Sequence, residues 1–527
     1  MKMTLRKHYL LLVVLLLIYS IVLIYALAYP PNPNRIIETW LLTLLLQRFY
    51  PRLWRGLMWF SAITILLYHP TAALYGRPSF GIVASLLSTT ASEASEYIGA
   101  ISWRTYIATL VLASVPLLIV RLSRNIAAPC WGRYWGLLIV LILVVMTAQT
   151  ARKGYTTGGF PLRVQPIEFL ADAYLQPQAY FAELAKIKAD LAKPDNWHIS
   201  SSHQNYRNYV LIIGESVRAD YMHLYGFKYA NTPFLDKHAN IIMDKMLSAG
   251  PNTPISLLHG LTLSHGKPFS IQNNVITLAK KAGMDTAWLS NQGALGQYDT
   301  SISTIAYQAN HVTFLKTTGY DFGERSFDYQ LIAPLQKVLA QPLDSSKSRL
   351  IVLHIMGSHP NPCDRLPQPP HPYVENNNSN CYIDSIRQTD SLLHQIYTAL
   401  KSSDQSFSMM YFSDHGLSHD KNSYEKNSIV RSTSILRHND HYYQNYHVPL
   451  VVINSDQTGQ SRNTAQRSGL ELLDGIAKWL GIQTPQLPYG EQFFSPTPSQ
   501  DAQILDFNQH LQPANQLQSD PLPANLR

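Results

Sequence analysis

Four short apolar runs in the C-terminal two-thirds of the chain end on residues that can bind metal or move protons. Tyr209–Gly214 runs into Glu215. Leu350–Leu353 runs into His354, with Gly357-Ser358-His359 close behind. Met409–Ser413 runs into Asp414-His415-Gly416, and His447-Val448-Pro449 opens a fourth run. A lone His or Asp at a strand end is ordinarily structural. Glu, Asp and His brought to one edge form an oxygen-and-nitrogen ligand set suited to Zn²⁺. A nucleophile is available in Ser248-Ala-Gly-Pro-Asn-Thr253-Pro-Ile-Ser256, a turn leading into the apolar pattern Ile255–Leu263. This puts Thr253 at or near a helix N-terminus, with Pro254 suited to the first helical position. Free N–H groups and the positive dipole end favour an alkoxide or a phosphoryl oxygen there, and a metal would lower the hydroxyl pKa further. Local chemistry alone favours reading Thr253 as a mere N-cap.

Residues so far apart in sequence need a sheet to bring them together. Tyr209–Ile213, Thr286–Leu289, Leu350–Ile355, Met409–Phe412 and Val448–Ile453 read as strands and Ser385–Lys401 as a helix. Buried strands alternating with helices predict an α/β domain over 201–490, its central sheet flanked by helices. Ligands then sit beyond the carboxyl ends of the strands. Residues 491–527, rich in Pro, Gln, Ser and Asn with little periodicity, are expected to be poorly ordered. Residues 151–200 read as a connector. Within it, Pro166–Lys193 has helical apolar spacing (Ile167, Phe169, Leu170, Tyr174, then Tyr180, Leu184, Ile187, Leu191). Such a helix lies along a membrane surface or packs on the domain.

Of 527 residues only 14% are charged, against about 25% in ordinary soluble proteins. Residues 1–150 hold 12 of the 42 Lys and Arg but three acids, Glu38, Glu93 and Glu96, whereas 151–527 carry 30 bases against 31 acids. The basic residues sit between long apolar runs, so a membrane accounts for them and nucleic acid does not. Tyr9–Ala28 is long enough to cross, and too long for a cleaved signal sequence. Further spans are expected near Ile36–Leu46, Gly56–Tyr75, Tyr106–Val120 and Tyr134–Ala148, of which the first is short and edged by Glu38. About five spans with the N-terminus inside place Met1–Lys7, Arg48/Arg52/Arg55 and Arg121/Arg124/Arg133 on the cytoplasmic side, as the positive-inside rule requires. The odd number puts everything after about residue 150 outside the cytoplasm. There Cys363 and Cys381 are the only cysteines, an even pair in an oxidising compartment, and are expected to form a disulfide; Cys130 falls in an inside loop. Paired cysteines leave no thiolate for a metal.

The strings IIGESVRADYMHLYGF (212–227), AGPNTPIS (249–256), AWLSNQG (287–293), LHIMGSHP (353–360), CYIDSIRQTDSLLHQI (381–396), FSDHGLSH (412–419) and YHVPLVV (446–452) occur in an order that resembles the phosphoethanolamine transferases. The match covers residues ~1–480, including the membrane part; each motif is weak alone and specific in combination. The resemblance implies a multi-pass bacterial inner-membrane enzyme whose periplasmic domain has the alkaline phosphatase/sulfatase fold. By position, Glu215, Thr253, Asp414 and His415 match the zinc ligands, Thr253 being also the nucleophile. His359 matches a histidine contacting the phosphoryl group or leaving oxygen, and His438 matches a further family histidine, with His441 competing for that role. Ser216 reads as a support for the ligand glutamate, and His259 and His419 as ordinary packing or surface histidines. The nucleophile loop departs from many relatives: it lacks their cysteines, and Pro251-Asn252 replace small hydroxyl residues, which leaves the chemistry possible but weakens assignment to the lipid A-modifying subgroup.

The reaction so implied takes phosphoethanolamine from phosphatidylethanolamine, through a covalent adduct on Thr253, to a lipopolysaccharide or lipooligosaccharide sugar or phosphate. A phosphoglycerol transferase of the lipoteichoic-acid-synthase type shares the layout and nucleophile. A sulfatase-class hydrolase is disfavoured, because the nucleophile loop has no C/S-x-P-x-R context. A membrane-anchored binding protein with a relic site is the non-enzymatic alternative.

Overall fold

The computed structural model describes residues 2–79, 82–83, 86–87, 101–123, 133–154, 163–265, 268–293, 301–316, 326–419, 436–497 and 502–527. Glu93, Glu96, Arg124 and Cys130 lie outside the described residues. The chain forms two compact units that divide at Tyr180/Phe181.

The first unit is helical: α1 (Lys2–Ala26), α2 (Pro33–Phe49), α3 (Pro51–Tyr75), α4 (Trp103–Ser123), α5 (Arg133–Gly154) and the first half of α6 (Ile167–Leu191). Among the described residues three segments are long and apolar enough to cross a membrane, Tyr9–Ala26, Pro51–Leu74 and Trp103–Ser123, and Tyr134–Gln149 is a shorter apolar helix. At position two of the expected five spans the structure differs. Helix α2 has 17 residues, about 25 Å at 1.5 Å per residue, against a hydrocarbon core of about 30 Å. It also buries Arg35 and Glu38. Arg35 forms a two-pronged ion pair with Glu168 of α6 (2.7 and 2.8 Å), and Tyr29 donates to Asp172 at 2.7 Å. The front of the expected amphipathic helix therefore packs on the helical unit through buried polar contacts and through Phe169, edge-on to Tyr68. The helix begins one residue after Pro166 and ends at Leu191, inside the expected 166–193.

The second unit is built on a nine-stranded mixed sheet. In chain order its strands are β1 (Asn208–Gly214), β2 (Ile241–Leu247), β3 (Asp285–Gly293), β4 (His311–Lys316), β5 (Arg349–His354), β6 (Phe407–Ser413), β7 (His447–Val448), β8 (Leu450–Asn454) and β9 (Ser461–Ser468), and their spatial order is β7-β2-β8-β6-β1-β5-β3-β4, with β9 on β2. The central strands β6, β1, β5, β3 and β4 run parallel. Strand β1 is buried throughout, as expected for a continuous apolar run covered on both faces. Its side chains alternate: Tyr209, Leu211 and Ile213 join one core, Val210 and Ile212 the other. The first core takes Leu257 and Leu258 from α7 (Thr253–Gly260); the second takes Ile383, Ile386 and Leu393 from α8 (Asn377–Ser402). Pro449 separates β7 from β8, so the expected strand Val448–Ile453 is two. The pair Cys363 and Cys381 is bonded, as expected.

The C-terminal segment corrects the sequence expectation. Residues 502–527 carry a hairpin of β10 (Gln503–Leu505) and β11 (Leu511–Pro513), and bury Ile504, Leu505, Ala514, Asp520 and Leu526. The anchors are single residues spaced irregularly between prolines and amides. They are enough to hold a strap to the domain surface without producing any periodic pattern.

Candidate active site

The parallel register of β1 and β6 pairs Gly214 with Ser413. The next residues, Glu215 and Asp414-His415, thus emerge side by side at the carboxyl edge. Helix α7 starts beside them. Its N-cap is Asn252, whose side chain accepts from Ile255 N at 3.2 Å, so Thr253 occupies N1 and Pro254 N2. Capping is therefore done by the neighbour, and the Thr253 hydroxyl turns to the strand ends. It donates to Glu215 Oε2 at 3.0 Å and lies 3.2 Å from His415 Nε2. His415 Nε2 is 3.3 Å from both Glu215 Oε1 and Asp414 Oδ2.

Glu215, Asp414 and His415 are fully buried, and their ligand atoms lie within 4.8 Å of one another. The supporting contacts orient these atoms. Ser216, at a left-handed φ of 61°, donates its hydroxyl to Glu215 Oε1 at 2.5 Å and its N–H to Asp414 Oδ1 at 3.1 Å. His415 Nδ1 donates to Gly416 O at 2.8 Å, which turns Nε2 toward the cluster. Burial and the charge of Glu215 push Asp414 up to about 7. Burial acts to lower His415, but the adjoining carboxylates hold it up to about 9. Burial likewise acts to raise Glu215, yet the His415 hydrogen bond and charge, with His359 beyond, hold it below the usual carboxylate range. Asp414 Oδ2 accepts no well-aligned hydrogen bond although buried. Two carboxylates, an imidazole nitrogen and a hydroxyl converging at one point fit a divalent cation, which would displace the imidazole proton on binding, and the hard-oxygen-plus-nitrogen set fits zinc.

Two further histidines stand around this cluster. The His438 ring centroid is 4.7 Å from that of His415, and burial together with the His415 charge keeps its pKa well below the ordinary value. The competing His441 is 74% exposed beside Asp440. His359 follows the turn Met356-Gly357-Ser358, which packs on Glu215: Ser358 N donates to Glu215 O at 3.0 Å. At Gly357 (φ +50°) any Cβ would meet the Glu215 backbone at 3.0 Å. His259 bonds Ser264 at 2.7 Å and packs on Phe269; His419 is buried between Tyr221 and Asp520.

Three residues at this edge escape sequence reasoning. Gln292, at the end of β3, donates to Ile355 O at 3.0 Å and reaches Glu215 Oε2 at 3.5 Å. Asp328 accepts from Met356 N (2.8 Å), Gly357 N (2.9 Å) and Asn291 Nδ2 (2.7 Å), so it fixes the turn ahead of His359. Asn445, fully buried, donates to Pro251 O at 3.1 Å, accepts from Asn439 N at 2.8 Å, and takes Gly416 N on its own carbonyl at 2.7 Å. It thereby ties together the loops bearing Thr253, His438 and His415. Only its place just before His447-Val448-Pro449 hinted at a role.

A buried Glu–Asp–His cluster with a helix-start threonine, on the carboxyl edge of such a sheet, defines a sulfatase-class domain, and residues 207–482 match the Sulfatase family model. Phosphoethanolamine transferase OpgE of Escherichia coli K12 is 32% identical over 483 residues, covering 90% of this chain and 89% of that one. The chain belongs to the phosphoethanolamine transferases of this family, membrane-anchored enzymes with a sulfatase-like domain. The full-length lipooligosaccharide phosphoethanolamine transferase A (EptA) of Neisseria meningitidis has the same fold (TM-score 0.58, 15% identity, 92% of this chain and 98% of that one). So does the periplasmic domain of EptC from Escherichia coli, solved in complex with Zn (TM-score 0.50, 21% identity, 62% of this chain and 97% of that one).

Proposed function

We propose that this enzyme transfers phosphoethanolamine from phosphatidylethanolamine to a lipopolysaccharide or lipooligosaccharide sugar or phosphate. We further infer that it does so at the outer leaflet of the bacterial inner membrane, as a multi-pass protein with its catalytic domain in the periplasm. The observation that carries the reading is the Thr253 hydroxyl, relieved of capping by Asn252 and set 3.0 Å from Glu215 Oε2 and 3.2 Å from His415 Nε2. Zn²⁺ would be held by Glu215, Asp414, His415 and Thr253, and when bound would supply Lewis acidity that lowers the hydroxyl pKa and offsets phosphoryl charge.

In the first step the Thr253 Oγ1–phosphorus bond forms and the phosphorus–oxygen bond to diacylglycerol breaks. The threonine proton passes through His438, kept neutral by burial and by His415, to the departing diacylglycerol oxygen. In the second, the acceptor oxygen attacks phosphorus, its proton passes through His438, and Thr253 leaves as a restored hydroxyl. His359, close enough to Glu215 to help hold its carboxyl down, would offset charge on the equatorial oxygens. Asp328 and Gly357 hold its turn, and Ser216 holds Glu215. The helical unit supplies proximity to a lipid donor and a lipid-linked acceptor, which a soluble phosphatase does not need. Phosphatidylethanolamine labelled in its ethanolamine, incubated with membranes containing the protein or its Thr253→Ala variant, tests this. Label is expected in surface glycolipid with the wild type only. Label in glycolipid with both proteins would reject the reading.

A further inference from the structure

The last residues of the chain reach the ligand-bearing loops through a single buried carboxylate. Asp520 Oδ2 accepts from Arg218 Nη1 at 2.7 Å and from His419 N at 2.8 Å, and lies 3.0 Å from His419 Nδ1. Its backbone carbonyl accepts from Arg218 Nη2 at 2.8 Å. Arg218 lies three residues past Glu215, and His419 four past His415. The β1–β6 ladder ends at Gly214 and Ser413. Beyond that pair, Arg218 bridges the two loops: its Nη1 donates to Leu417 O at 3.3 Å, and Arg218 Cγ lies against Gly416, where a Cβ would stand 3.2 Å away.

Arg218 is fully buried, so its charge has to be matched within the protein. Asp220 supplies one carboxylate from the partly exposed side, and Asp520 supplies the one on the buried side. The same stretch of tail also holds the segment after His438. Gln518 N donates to His441 O at 2.9 Å, Tyr443 N to Gln518 O at 2.8 Å, and Asp520 N to Gln444 Oε1 at 2.7 Å.

We propose that Asp520 is a positioning residue for phosphoryl transfer: through Arg218 and His419 the C-terminal strap fixes the loop bearing Asp414 and His415 against Glu215. This rests on the roles proposed above for those three residues. Groups hydrogen-bonded directly to metal ligands typically govern activity or metal affinity by about 10–100-fold; Asp520 acts one contact further out, through Arg218 and His419, which sets the lower end of that range as the expectation.

The test uses the full-length protein in detergent, with three readouts: diacylglycerol release from phosphatidylethanolamine carrying a fluorescent acyl chain, zinc per chain after dialysis, and the melting temperature. Asp520→Ala, assayed well below its own melting temperature, is expected to lower kcat at least about tenfold with KM changed less than about twofold, and to lose zinc that the wild type retains. Asp520→Asn keeps an acceptor oxygen for Arg218 and His419 and is expected to lose less. Wild-type kcat and zinc retention in Asp520→Ala, even with a lowered melting temperature, would overturn the proposal, because that is the behaviour of a residue that only stabilises. If Asp520→Ala does not accumulate, Asp520→Asn decides: reduced kcat in a folded protein supports positioning, and unchanged kcat and zinc retention overturn it. If the wild type itself released no diacylglycerol, the transfer reading would fail, and zinc retention would still judge Asp520.

Discussion

Replacing Asn445 by alanine tests how the site is assembled. The side chain makes two hydrogen bonds, a buried one to Pro251 O and a part-buried one from Asn439 N, each joining a loop that carries a site residue. Truncation leaves the Pro251 carbonyl buried without its partner, at roughly 1–3 kcal/mol, and the part-buried Asn439 N–H without its own, at a smaller cost. The folded domain is therefore expected to lose about 3 kcal/mol, which lowers the melting temperature by several degrees. Activity is expected to suffer more than stability does. Pro251 lies two residues before Thr253 and Asn439 one after His438, so freeing both loops lets the proposed nucleophile and the proposed proton carrier drift relative to each other. A displacement of about 1 Å can cost on the order of 100-fold in rate. The assay is diacylglycerol release at a temperature where the variant is fully folded by circular dichroism. Asn445→Asp keeps the acceptor for Asn439 N but loses the donor to Pro251 O, and is expected to be impaired as well. Wild-type melting and turnover in Asn445→Ala would refute the reasoning.

Asp328→Ala removes the acceptor for two backbone N–H groups ahead of His359, and turnover is expected to fall at least about tenfold, measured in the same assay; an unchanged rate would show that the turn holds itself. Asp414→Asn is expected to lose bound zinc on dialysis, measured by elemental analysis, and chelation of the wild type to abolish activity that added zinc restores. Unchanged metal content in the variant would reassign the site. His265, hydrogen-bonded to Asp474 at 2.6 Å, has its pKa raised by that bond against the opposing effect of burial. Its stabilising contribution is then fully present below the unfolded histidine pKa, about 6.5, and fades as pH rises through the folded value. The melting-temperature gap between wild type and His265→Gln should therefore be wider at pH 6 than at pH 8.5, and a gap independent of pH would contradict this.

How much of this was legible in the sequence follows from the range of the interactions. Glu215 and Asp414-His415 stood out because each ends an uninterrupted apolar strand, where a charged residue has no local reason to be. Both strands lie in the sheet centre, covered on both faces, so the apolar runs were long and clear. Thr253 was ambiguous because Asn252 and Thr253 can each cap a helix, and only the folded loop shows that Asn252 does so. Asp328 and Asp520 carried no sequence signal, and Asn445 had only its place just before His447-Val448-Pro449. Their partners lie between 6 and 302 residues away, and no periodicity marks an isolated polar residue in a loop. The strap at 502–527 was read as disordered for the same reason, since its anchors come one at a time. Helix α2 shows the opposite difficulty: its apolar face suggested a span, while its buried Arg35 is ion-paired with Glu168 of α6 and Glu38 is buried near it in sequence.

The central claim is that Thr253 carries the phosphoryl group. Purified protein incubated with phosphatidylethanolamine in the absence of acceptor, then digested and analysed by mass spectrometry, tests it most directly. The account predicts release of diacylglycerol and one added phosphoethanolamine on the peptide containing Thr253, with no adduct in Thr253→Ala and a reduced one retained in Thr253→Ser. An adduct on Ser216 instead, or Thr253→Ala transferring phosphoethanolamine at the wild-type rate, would contradict it.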